Sequence, residues 1–148
     1  MISSGYKKLA QEYGMTCASG TAYGSLRGYA VTFLDGMNIK TLSIAARFDQ
    51  PEELEQIEAL VSDKKIKKQY LLENVQLSPY GIEFVFQDTI GTLKRIRSFI
   101  DWFWPILEQT HATRSHICTE CGLELTQPCW KLVGDFAYPM HPACSERM

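Results

Sequence analysis

No stretch of this sequence approaches the roughly 20 consecutive apolar residues that a membrane-spanning helix needs. Met1-Ile2-Ser3-Ser4-Gly5-Tyr6-Lys7-Lys8 also lacks the apolar core of a signal peptide. The chain as given therefore reads as cytoplasmic. An excess of charge of one sign is lacking too: 15 Lys and Arg against 17 Asp and Glu leave a formal net charge of −2. That balance gives no global attraction to nucleic acid or to an acidic membrane surface. There is no Gly-x-Ser-x-Gly elbow, no Gly-rich phosphate loop ending in Lys-Ser/Thr and no dinucleotide fingerprint. Only 3 histidines are available as general bases. Cys17, beside Thr16 and Ser19, has no evident activating base. The expectation is a protein that is not an enzyme. Internal repeats and low-complexity segments are absent as well.

What is present is a cluster of cysteines. Of 5 in the chain, 4 fall between positions 118 and 144. In a chain without an export signal this favours metal over disulfides, because the cytosol keeps thiols reduced. Cys118-Thr119-Glu120-Cys121-Gly122 sets two thiols three residues apart on a tight turn, with Gly122 free to bend so that backbone amides face sulfur. His141-Pro142-Ala143-Cys144 repeats that spacing. Together they predict one tetrahedral Cys3His zinc site with ligands Cys118, Cys121, His141 and Cys144. Four protein ligands leave no open position, which marks the zinc as structural. Cys129, His111 and His116 are rival ligands. Cys129, beside Trp130 in a predicted strand 129–133, also reads as a small buried apolar residue. The His-x-Glu and Pro-Cys-x-x-Cys pair of zinc deaminases is missing.

A segment of about 30 residues does not fold on hydrophobic burial alone. The 148 residues, 45% of them hydrophobic, therefore divide into a body over 1–110 and a single-zinc module over 111–148. Tyr6, Leu9, Ala10 and Tyr13 recur at helical spacing before Gly14. Period-two patterning from Thr21 to Phe48 predicts strands, with a hairpin turn at Asp35-Gly36 and an earlier turn or bulge at Arg27-Gly28. Asp49 is placed to cap a helix entered through Pro51, with Leu54, Ile57, Leu60 and Val61 as its buried stripe. Tyr70 to Leu77 and Ile82 to Gln87 read as a hairpin across Ser78-Pro79-Tyr80-Gly81. A last helix carries Leu93, Ile96, Phe99, Ile100 and Phe103, and Pro105 predicts a kink or end near Trp104. Of the successive aromatics Trp102, Phe103 and Trp104, at least one must leave the core. Trp102 is expected on the zinc module or in an exposed patch. Lys64-Lys65-Ile66-Lys67-Lys68 reads as a solvated loop whose charge is offset by Glu52, Glu53, Glu55 and Glu58 of the preceding helix, where the Glu52-Glu53 pair lies on an exposed turn.

The fold class is α+β: helix, three strands, helix, two strands, helix around an antiparallel sheet, plus a zinc-stabilised β ribbon. From Tyr6 to Gln109 this order resembles the type III secretion chaperone-like fold, which implies dimerisation and a surface offered to another polypeptide. From Cys118 to Cys144 the residues resemble the first zinc module of a LIM domain, a treble-clef-like unit. The shared pattern is Cys118-x2-Cys121, a ribbon with Trp130, then Tyr138-Pro139-Met140-His141-Pro142-Ala143-Cys144, and it implies protein–protein interaction. No second LIM module precedes Met148. The whole chain also resembles bacterial proteins of undefined role that continue into membrane segments after the zinc motif. The partner expected is another protein or a second copy of the chain. The alternative is nucleic-acid binding through the zinc tail and the Lys64 to Lys68 run.

Overall fold

The structure, a computed structural model, describes residues 2–18, 20–127 and 129–146. Helix α1 (Ser4–Glu12) leads into strands β1 (Thr16–Ala18), β2 (Thr21–Leu26), β3 (Tyr29–Gly36) and β4 (Ile39–Ala45). Helices α2 (Pro51–Val61) and α3 (Lys64–Tyr70) precede β5 (Leu72–Ser78), β6 (Gly81–Gln87) and α4 (Thr92–Glu108). The chain then forms β7 (Cys129–Val133), β8 (Phe136–Met140) and the single turn α5 (Pro142–Ser145). Strands β1 to β6 make a six-stranded sheet in the order β1-β2-β3-β4-β6-β5, and β7-β8 form a separate ribbon. Every pairing is antiparallel. The protein is α+β, as the sequence pattern requires.

Local chemistry explains the turns. Arg27 (φ 48°) and Gly28 (φ 90°) both adopt positive φ between Leu26 and Tyr29, the two-residue hairpin whose twist suits the flanking strands. The β3–β4 turn sits two residues beyond its expected place, at Met37-Asn38, with Asn38 at φ 59°. Asp35 and Gly36 stay in β3 because Asp35 is engaged there. Its carboxylate accepts from the Lys40 ammonium at 2.6 Å and from the Ser3 backbone N–H. Lys40 is buried, so these partners and Asp88 at 3.3 Å balance a cation that would otherwise be costly to desolvate.

Several helix expectations change. Asp49 does not cap α2, because its side chain accepts from Arg47, and the N-cap is Gln50 without a side-chain bond. Ile57 and Val61 are buried, whereas Leu60 is 43% exposed. The lysine run is a helix rather than a loop: Asp63 caps α3, and Ile66 and Tyr70 anchor it to the core. Tyr70 therefore ends a helix instead of opening a strand. Helix α4 continues through Pro105 to Glu108. Pro105 is exposed, so the carbonyl it leaves unbonded, that of Asp101, is on the solvent side, while Phe103, Trp104 and Leu107 hold the other side in the core. Trp102 lies neither on the ribbon nor in an isolated patch. It packs half-buried against Tyr70 and Phe99, with ring centroids 5.9 and 5.7 Å away. Strand β1 and helices α3 and α5 are additions to the expected order.

The sheet separates two layers. Tyr29, Val31, Phe33, Leu42, Ile44, Ile82, Phe84 and Phe86 face α1 to α4 in the main core. On the opposite face Ala30 and Ala45 pack against Cys118, Leu125, Tyr138, Met140 and Cys144. Residues Thr113 and Ser115 bring the chain from one layer to the other: their backbone N–H groups donate to Arg47 and Gly28 carbonyls at 3.2 and 2.8 Å. At the far end of the ribbon, Phe136 lies over Gly81. A Cβ there would stand 2.5 Å from the Phe136 ring and 2.7 Å from the Ile44 carbonyl oxygen. The backbone oxygen has no room to retreat, so Gly81→Ala is expected to lower stability by about 1–3 kcal/mol in denaturant titrations.

Candidate metal centre

The first pair of thiols is positioned by a turn that bonds to itself. The Cys118 N–H donates to the Leu123 carbonyl and the Gly122 N–H to the Cys118 carbonyl, both at 2.9 Å, while Gly122 takes φ 77°. A side chain at Gly122 would be strained in that left-handed region. Leu125 N–H closes the knuckle onto the His116 carbonyl at 2.8 Å. The second pair is set by α5: His141 is its N-cap with extended backbone, Pro142 supplies the first-turn φ, and Cys144 N–H donates to the His141 carbonyl at 3.0 Å. One helical turn thus brings His141 and Cys144 to the same side.

The knuckle and α5 meet because Thr119 ties them. Its backbone N–H and its hydroxyl both donate to the Pro139 carbonyl in β8, at 3.0 and 3.3 Å. The body contributes Arg47, which donates to the Glu120 carbonyl at 3.1 Å. As a result one donor atom from each of Cys118, Cys121, His141 and Cys144 lies within 4.8 Å of the others, close enough to hold a metal ion. Cys118 and Cys144 are buried, and Cys121 is exposed.

The donor set fits zinc in size. Tetrahedral bonds of about 2.3 Å to sulfur and 2.0–2.1 Å to nitrogen place S and N about 3.6 Å apart. Cys121 Sγ and His141 Nδ1 are 3.4 Å apart. The imidazole is also in the right tautomer. Nε2 faces the Glu124 carbonyl at 3.2 Å, and a carbonyl only accepts, so the proton sits on Nε2 and the Nδ1 lone pair faces the sulfurs.

Electrostatics distinguish the thiols. Burial alone would raise Cys118, but N–H groups of Cys121, His141 and Glu120 aimed at its sulfur outweigh that and bring it down to about 6. Cys144 is pushed up to about 11, by desolvation first and then by the neighbouring Cys118 and Cys121. Three thiols this close cannot all ionise unaided, and a divalent cation removes that opposition.

The rival donors lie elsewhere. Cys129 is opposite Met140 in the ribbon and outside the cluster. The His111 backbone N–H donates to Glu53 Oε1 at 2.9 Å, and its Nδ1 is 3.0 Å from Oε2. Glu53 is thereby 13% exposed rather than on an open helix turn. His116 is exposed and contributes only its carbonyl to the knuckle. The supporting roles of Thr119, Arg47 and the Glu124 carbonyl had no signal in the sequence, because backbone oxygens carry no residue identity. Comparisons with known protein families, characterised proteins and solved structures find no match to this chain. Among the described residues, no helix is long and apolar enough to cross a membrane.

Proposed function

We propose that the chain is a non-enzymatic zinc-binding protein in which a structural Cys3His site, with Cys118, Cys121, His141 and Cys144 as ligands, maintains a protein-interaction module. The observation that carries this reading is the four-donor cluster, whose closure leaves no position for a substrate or an activated water. Among the described residues, the module's buried core is Cys118, Leu125, Tyr138, Met140 and Cys144 beside two alanines of the sheet, with Trp130 and Phe136 partly buried against it, and a unit this small needs a metal. Its order of knuckle, ribbon and single helical turn supports the LIM-like, treble-clef-like resemblance.

The partner in this reading is another protein or a second copy, as for a chaperone-like body. Leu123, Leu132 and Val133 are exposed on the module by 66%, 53% and 41% and provide apolar contact area. The zinc-loaded chain is expected to associate through these exposed apolar side chains in sedimentation velocity or cross-linking. Leu123→Asp with Leu132→Asp should abolish association and leave the zinc content intact. Association that survives this double substitution contradicts the reading.

The competing nucleic-acid reading needs the tail and the lysine run on one surface. Helix α3 belongs to the helical side of the sheet, through Ile66 and Tyr70, and the module belongs to the opposite side. That separation favours the protein-interaction reading.

A further inference from the structure

The central strands run between two different ends of the sheet. At one end Ala30 pairs with Ala45 and Ala45 with Gly81, and the two alanines pack against the zinc module. At the other end Gly36 pairs with Ile39 and Ile39 with Gln87. This second end carries the two most exposed large apolar side chains among the described residues. Met37, in the β3–β4 turn, is 91% exposed, and Ile90, in the β6–α4 loop, is 99% exposed. The Asp88 N–H donates to the Asn38 carbonyl at 2.9 Å, so the turn and the loop lie side by side.

The loop that presents Ile90 is braced from within. The Thr92 hydroxyl oxygen accepts from the Thr89 N–H at 2.7 Å, and its O–H donates to the Thr89 carbonyl at 2.6 Å. The Arg95 guanidinium donates to the Ile90 carbonyl at 2.9 Å and to the Thr89 hydroxyl. Gly91 turns the chain into α4 at φ 85°. A loop already fixed in this way loses little further freedom when its side chain meets a surface.

Lysines flank the two tips. Lys94 lines a cavity together with Asp88, Thr89 and Gly91. Lys8 lines the groove between α1 and α4 that shares Leu93 with that cavity. Lys67 and Lys68 lie in the last turn of α3, and the carbonyl of its C-cap, Leu71, accepts from the Gln87 N–H at 3.0 Å. None of these four lysines is in an ion pair among the described residues. The nearby acids are largely engaged. Asp35 and Asp88 both face the Lys40 ammonium, at 2.6 and 3.3 Å, and Glu12 pairs with Arg97 at 2.6 Å. Glu73, at the start of β5, is exposed. A chain of net charge −2 thus gathers positive charge around its two apolar tips.

We propose that this end of the body docks on an anionic lipid bilayer: Met37 and Ile90 enter the headgroup boundary, and Lys8, Lys67, Lys68 and Lys94 face the lipid anions. Two side chains protruding from turn tips give a protein partner no complementary surface to pack against. A bilayer needs no such match, because its boundary takes up apolar side chains of any shape while its surface charge attracts the lysines. The zinc module packs at the opposite end, so this docking goes beyond the protein-interaction reading and leaves the module's exposed side chains accessible.

The test is co-sedimentation of the zinc-loaded full chain with vesicles of phosphatidylcholine, alone or with about 30% phosphatidylserine. Partitioning should be about tenfold stronger on the anionic vesicles and should weaken as salt rises from about 0.1 M to about 0.5 M. Met37→Asp with Ile90→Asp should lower it about tenfold, with the urea midpoint unchanged because both side chains are exposed. Lys68→Glu with Lys94→Glu should lower it to a similar extent. Leu123→Asp with Leu132→Asp should bind the vesicles as the original chain does, so this docking and the module's association with protein fail or stand separately. Absence of partitioning onto the anionic vesicles, or partitioning undiminished in Met37→Asp with Ile90→Asp, would overturn the proposal.

Discussion

Cys144→Ala is expected to lose its metal and the folded ribbon with it, while Cys129→Ala keeps both. Cys144 is buried at the centre of the module and is the second member of the α5 pair, so its loss leaves three donors and an unfilled coordination position. Structural zinc contributes on the order of 10–16 kcal/mol to small zinc units, far more than the few apolar contacts of this module supply. Elemental analysis after dialysis against a weak chelator should find one zinc per original chain and per Cys129→Ala chain, and close to none for Cys144→Ala. Hydrogen exchange should then show β7 and β8 unprotected while β3 and β4 remain protected, because the main core lies on the other face of the sheet. Equal metal retention by the two variants would contradict this assignment.

The body should respond most strongly at Phe99. This ring is fully buried where α4 crosses the sheet and meets Tyr70, Phe84, Phe86, Trp102 and Phe103 with centroids 4.8 to 5.7 Å away. Its neighbours come from α3, β6 and α4, so no single element can move to fill the space. Phe99→Ala is expected to cost about 3–5 kcal/mol, a large part of the roughly 5–15 kcal/mol that stabilises a domain. The urea midpoint should fall accordingly with the slope unchanged. Trp102→Ala, at a half-buried position on the same helix, should cost less. A larger loss at Trp102 than at Phe99 would mean that the core is centred elsewhere.

The contrast between what the sequence made legible and what it hid has a physical basis. Period-two runs such as Tyr29-Val31-Phe33 and Ile82-Phe84-Phe86 identified strands because one face of the sheet is a continuous apolar core. Arg27-Gly28 marked its turn because few residue pairs accept two positive φ values. The cysteine and histidine spacing brought attention to the four residues that the fold does bring together. Asp35-Gly36 misled because Asp35 is held in its strand by Lys40, a contact between residues whose identities alone do not announce it. The lysine run looked like a loop because its helix is anchored by just Ile66 and Tyr70, too few apolar positions to show a period. Pro105 looked like a terminator because the sequence does not reveal that it falls on the solvent side of a helix held by Trp104 and Leu107. The outer face of the sheet was least legible. Ala30, Thr32, Ser43 and Ala45 are small or polar and make no apolar stripe that would announce a second buried face, yet all four are buried.

X-ray absorption spectroscopy at the zinc edge tests the closed Cys3His site most directly. The account predicts three sulfur neighbours at about 2.3 Å and one nitrogen at about 2.0–2.1 Å in the metal-loaded chain. A first shell with two sulfurs, or with an oxygen in the fourth position, would contradict it and reopen the site to water and to catalysis.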